Sequence, residues 1–144
     1  MLRLGIAGTS GVRDFYVMRT HGGSSFYIAE HPDFQLLVDA GRILRVEKVE
    51  CTTLKGIFED NGLERCDFLK MDCEEAEREI FSPESRPYFK RVNSIALEWH
   101  NYDGHKYAGY LRRLGFSVLL TGCGVPPPPY SRTFGRGMLY AKPR

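Results

Sequence analysis

The sequence lacks several things, and each absence excludes a class of protein. There is no block of lysine or arginine, and the formal net charge is only +2. Neither a nucleic acid nor an anionic membrane surface is therefore expected as partner. No apolar run is long enough for a membrane span. Gly5, Gly8 and Gly11 break up the N-terminal apolar stretch, so a signal-peptide core is not expected and a cytoplasmic location is the default. The four cysteines (Cys51, Cys66, Cys73 and Cys123) form no CxxC pair and no zinc-ligand spacing. Reduced, buried thiols are the expectation. The four histidines (His21, His31, His100 and His105) form no metal motif, so linear spacing points to no metal site.

What is present is enough for a core. A chain of 144 residues with 42% hydrophobic composition reads as one globular domain over residues 1–144. Leu2 to Ala7 and Val12 to Met18 read as strands around the turn signal GTSG, a β-hairpin or a strand end followed by a second strand. The glycines there do not make a phosphate loop, because VRDFYVM lacks the helical period such a loop needs. Thr20 to Ser25 reads as loop, Asp33 to Gly41 as a short helical turn, and Arg45 to Cys51 as a strand near an edge.

From there the elements alternate. Thr52-Thr53 supplies an N-cap for a helix carrying Leu54, Ile57 and Phe58, which Asn61-Gly62 ends. Cys66 to Met71 is a first central strand and Glu74 to Phe81 a helix with an acidic first turn. Ser94 to Trp99 is a second central strand. Asp103 caps a helix bearing Tyr107, Tyr110, Leu111 and Leu114, closed by Gly115. Phe116 to Thr121 and Gly137 to Ala141 are the last strands, with Lys142 to Arg144 as a tail. Pro126 to Pro129 stiffen the loop between them. Alternation of this kind predicts an α/β fold with parallel strands, and the loop-joined final pair should run antiparallel.

Two of these strands end in ionisable residues. Asp72 and Glu74 follow the first central strand; Glu98 and His100 close the second. Their spacing of two puts Glu98 and His100 on one strand face, and neighbouring strands lie about 5 Å apart. Ligands of open parallel sheets bind beyond the carboxyl ends of the strands. Carboxylates there suit a cationic ligand or a hydroxyl to be activated, and His100 suits a general base near neutral pH. Each residue also has a plainer reading: acids at a helix start answer the helix dipole, and a strand-end histidine is often structural.

DFLKMDCEEAEREIF resembles the D-L-L-K-I-D-V-E-G-A-E motif of FkbM-type methyltransferases. SIALEWH is similar to that family's next strand, which ends in Glu-x-His. VECTTLKGIFEDNGLERCDFLKMD is similar to its entry segment, GTSGVRDFYV to its preceding hairpin, and YLRRLGFSVLL and GRGMLYAKP to its last two strands. The resemblance implies a class I methyltransferase fold, a Rossmann-like seven-stranded sheet with the final strand antiparallel. It implies S-adenosylmethionine as cofactor and transfer of a methyl group to a hydroxyl of a sugar or other small molecule. It places Asp72 and Glu74 on the motif's Asp and Glu, and Glu98 and His100 on its Glu-x-His. These four are the candidate catalytic residues, with Asp72 also the candidate cofactor contact.

Two departures from the family pattern matter. Glu75 stands where the motif has glycine, and glycine there would permit an unusual φ or a close backbone approach. The strands that hold the donor's methionine and ribose parts, with their glycine-rich turn, have no counterpart, so the sheet is expected to be truncated to its C-terminal strands. An uncovered sheet edge then favours association of copies, or an N-terminal half supplied by another chain. The alternative expectation is a non-catalytic remnant of such an enzyme, acting as an interaction module.

Overall fold

A computed structural model describes residues 3–19, 23–100, 103–122 and 135–144. The proline run Pro126 to Pro129, His21 and Cys123 lie outside the described residues. The described residues form an α/β fold with two sheets. In the first, β1 (Gly5–Ile6), β2 (Gly11–Met18) and β3 (Ile43–Thr52) form three strands in the order β1-β3-β2. The second has four strands in the order β4-β5-β7-β6: β4 (Leu69–Met71), β5 (Ile95–Trp99), β6 (Phe116–Thr121) and β7 (Gly137–Pro143).

The expected hairpin is not made. β1 and β2 do not pair; β3 lies between them, parallel to β1 and antiparallel to β2. The turn's donors are spent elsewhere. Ala7 N–H donates to Thr52 O (2.9 Å), and Gly8 N–H donates to Glu79 Oε2 (2.9 Å). For the same reason β3 is central rather than an edge, and it belongs to a different sheet from the parallel strands that follow. β2 reaches β3 through a connection that holds α1 (Phe34–Asp39), the short turn expected there.

The second sheet follows the expected rule. β4 and β5 are parallel, and β7 runs antiparallel to both β5 and β6. β6 has the predicted bounds. β7 runs through Pro143, which pairs with Phe116, so the expected tail is the end of a strand. α2 (Leu54–Asp60) starts as its sequence requires: the Thr53 hydroxyl accepts the Gly56 N–H at 3.0 Å, and Gly62 turns the chain at φ 60°.

The helix expected from Glu74 begins only at Glu77. Glu74 and Glu75 have φ of 45° and 81°, the left-handed region that a right-handed helix of L-residues excludes. The remaining helix, α3 (Glu77–Ile80), is a single turn. A 3-10 turn (Pro83–Ser85) and α4 (Arg86–Phe89) follow, which the sequence pattern does not mark. α5 (Gly104–Arg113) packs on β6 and β7, and Gly115 ends it at φ 94°.

The core lies between the second sheet and these helices. Leu97, Leu139, Leu111, Phe116 and Ile95 are fully buried, each burial stabilising by about 1.5–3 kcal/mol. Phe81 joins the helices: its ring stacks on Phe89 (4.8 Å) and Tyr107 (4.5 Å) and meets Tyr110 edge-on (5.2 Å). No helix among the described residues is long and apolar enough to cross a membrane.

Candidate functional site

β4 and β5 run side by side, with Met71 opposite Leu97. The β4–β5 ladder stops there; the backbone continues from β4 into Asp72 and from β5 through Glu98 and Trp99 to His100. Asp72, Glu74 and His100 each bring one donor atom to within 4.8 Å of the others. Glu74 Oε2 is 3.6 Å from His100 Nε2. Asp72 is the exposed member, and Lys70 reaches its Oδ2 at 3.1 Å. Glu98 does not join this group. It is half-buried within β5, opposite Met138, and its carboxylate makes no hydrogen bond or ion pair among the described residues. The two-residue spacing of Glu98 and His100 does not make them one cluster, because β5 ends at Trp99 and His100 leaves the strand.

The backbone aims Glu74 at His100. Its φ of 45° turns the chain out of β4 before the helix starts. The loop after β2 clamps it from outside: the Ser25 hydroxyl donates to Glu74 O (2.7 Å), and the Gly23 N–H donates to Glu74 Oε1 (3.4 Å). Ser25 itself is buried and bridged to Tyr16 of β2, so the first sheet supports the site of the second.

On its other side His100 meets Glu77, a residue not singled out from the sequence. The Glu77 side chain is 1% exposed, and its Oε1 lies 3.8 Å from His100 Nδ1. The Cys73 N–H donates to that same oxygen at 2.8 Å. Burial raises the Glu77 carboxyl above its ordinary value, although the Cys73 N–H and the nearby His100 work against this. Oε2 of Glu77 and Nδ1 of His100 are buried without a hydrogen-bond partner among the described residues. One sequence signal pointed to Glu77: it occupies the final glutamate of the motif D-V-E-G-A-E.

Glu77 and His100 line a cavity of about 150 Å³ with Glu75, Arg78, Asp103 and Tyr107. The Tyr107 hydroxyl donates to Asp103 Oδ2 (3.3 Å), and burial, reinforced by Asp103 and Glu77, pushes its pKa upward. Burial first, then Glu77, pushes the Cys73 thiol up to about 11, which favours the protonated form near neutral pH.

Trp99 holds the end of β5 in place. It is 3% exposed, and a Cβ added to Gly104 or to Gly137 would each lie 2.7 Å from its ring. Two bare backbones therefore close on the indole next to His100. A larger hollow, about 530 Å³, opens at Phe68, Leu119 and Tyr140 and shares no residue with this cluster. Its lining is mostly apolar, and its ionisable side chains are Tyr140 and Lys142, with no carboxylate or histidine among the described residues.

The family model described as the methyltransferase FkbM domain matches residues 1–118. A curated relative, the 31-O-demethyl-FK506 methyltransferase FkbM of Streptomyces tacrolimicus, is 28% identical over 107 residues, 72% of this chain. The chain spans 40% of that relative's length. No solved structure matches.

Proposed function

Because the chain belongs to the FkbM methyltransferase family, we propose that it forms the acceptor side of an S-adenosylmethionine-dependent O-methyltransferase acting on a hydroxyl of a small molecule or sugar. The observation that carries this reading is the convergence of Asp72, Glu74 and His100 beyond the carboxyl ends of two parallel strands. The order β4-β5-β7-β6, with β7 reversed, supports reading the second sheet as the C-terminal strands of a Rossmann-like class I fold.

The described residues do not form a seat for the methyl donor. They offer it the exposed Asp72 carboxylate, but β4 is the end strand of its sheet, with no glycine-rich strand–turn–helix beside it. This chain's own part is therefore played on the acceptor. The crevice holds a hydroxyl between Asp72 and His100, the carboxylates orient it, and His100 Nε2 takes its proton. Glu98, set apart in β5, has at most a role in shaping the sheet face. In this reading the donor's seat lies outside the described residues; the chain spans 40% of the relative's length.

The test joins this chain to the donor-binding half of a family member and follows transfer of a labelled methyl group to hydroxyl-bearing acceptors. The joined protein should be active. His100→Ala should lower turnover about a hundredfold or more while donor binding stays nearly constant. Equal loss of both, or no effect, overturns the role of His100.

A second reading, a non-catalytic remnant acting as an interaction module, is favoured by Glu75. It holds φ 81° at the motif's glycine position. An active joined protein would dismiss it.

A further inference from the structure

We propose that Asp72, Glu74 and His100 hold one divalent cation of the Mn²⁺ or Mg²⁺ kind. Their donor atoms lie within 4.8 Å of one another. Around an octahedral ion with ligands about 2.1 Å away, an opposite pair lies about 4 Å apart and adjacent ligands about 3 Å, so side-chain shifts of about 1–2 Å bring the three donor atoms onto one ion. Two carboxylates with one imidazole form an oxygen-rich donor set, which suits Mn²⁺ and Mg²⁺ better than thiolate-seeking metals. Among the described residues the nearest compensating cation is Lys70, bound to Asp72 from its exposed side.

A second observation points the same way. An imidazole that binds metal through Nε2 carries its proton on Nδ1 and presents it to an acceptor, most often a carboxylate. Glu77 sits in that place: its side chain is 1% exposed, its Oε1 is 3.8 Å from His100 Nδ1, and its Oε2 has no partner among the described residues. On His100's other side, Nε2 faces Glu74 at 3.6 Å. A carboxylate withdrawn from water behind a histidine, with two more carboxylates in front, is the arrangement of a ligand and its orienting partner. Sequence spacing hides it, because Asp72 and His100 come together only through the pairing of β4 with β5.

The role of the ion rests on the acceptor-side reading and revises one part in it. The three protein ligands leave coordination positions open, and an acceptor hydroxyl bound there has its pKa lowered by the metal. His100 is then a ligand, Glu77 a positioning residue, and the hydroxyl proton passes to water.

The test uses Mn²⁺ and the chain without donor or acceptor. Binding removes the six-line electron paramagnetic resonance signal of the free ion. One Mn²⁺ per chain is expected, displaced by excess Mg²⁺. Asp72→Asn and His100→Ala should each weaken binding at least about tenfold, and Glu77→Gln by about tenfold, with far-ultraviolet circular dichroism unchanged. Glu64→Gln, an exposed carboxylate elsewhere, should leave binding as it was. A free-ion signal that persists at millimolar Mn²⁺ with excess chain overturns the site. So does binding that is indifferent to the first two substitutions. If Mn²⁺ binds at these residues while the joined enzyme transfers no methyl group, the site stands and the methyl-transfer reading falls. If methyl transfer proceeds undiminished in chelator, the reading stands and the metal's role in it falls.

Discussion

The Glu77 carboxylate faces Nδ1 of His100 across 3.8 Å, held in place by the Cys73 N–H. Burial keeps its carboxyl above the ordinary value of 4.5. Between 4.5 and that raised value, the unfolded chain has released a proton that the native chain retains. Native stability therefore falls as pH rises through this window. Glu77→Gln removes the titration and keeps a carbonyl oxygen for the Cys73 N–H. Urea unfolding at about pH 4 and about pH 7 should show wild type losing more stability between the two than the variant does. Equal losses would mean that burial does not hold the proton.

Glu75 is strained at φ 81° where the family motif has glycine. A left-handed conformation costs an L-residue about 1–2 kcal/mol. Glu75→Gly should stabilise the chain by about 1 kcal/mol, some of the relief being offset by the added freedom of the unfolded chain. Glu75→Ala should gain little, which separates backbone strain from charge. Chemical denaturation midpoints decide it.

Two glycines of α5 should respond oppositely to alanine. A Cβ at Gly104 meets the Trp99 ring at 2.7 Å, so Gly104→Ala should destabilise by about 1–3 kcal/mol. At Gly109 the nearest neighbour is the flexible Arg113 Nη1 at 3.4 Å, so Gly109→Ala should stabilise by about 0.5–1 kcal/mol. Thermal unfolding of both variants tests the pair. Like signs would refute the packing assigned to Trp99.

Titration of S-adenosylmethionine into the isolated chain should give little or no binding heat, because among the described residues β4 ends its sheet with no donor seat beside it. Micromolar affinity by calorimetry would contradict this.

What could be read from the sequence was local. Phe116–Thr121 carries its own alternation between Gly115 and the following glycine, Thr53 caps its helix with its own hydroxyl, and α5 follows the spacing of Tyr107, Tyr110 and Leu111. What was missed depended on distant partners. The hairpin failed because Gly8 gives its N–H to Glu79, 71 residues away. The helix start failed because φ at Glu74 and Glu75 is set by the Ser25 clamp and the turn out of β4, although the motif's glycine hinted at it. In the site, Asp72 and His100 came together as two parallel strand ends should. Glu98 did not join them, because a two-residue period holds only while the strand lasts, and β5 stops one residue before His100.

The chain contains a single tryptophan, and it is Trp99. Its indole is shut between Gly104 and Gly137, one peptide unit from the imidazole. The molecule thus carries a built-in optical reporter: any ligand that displaces the end of β5 registers in the intrinsic emission, with no dye or label required.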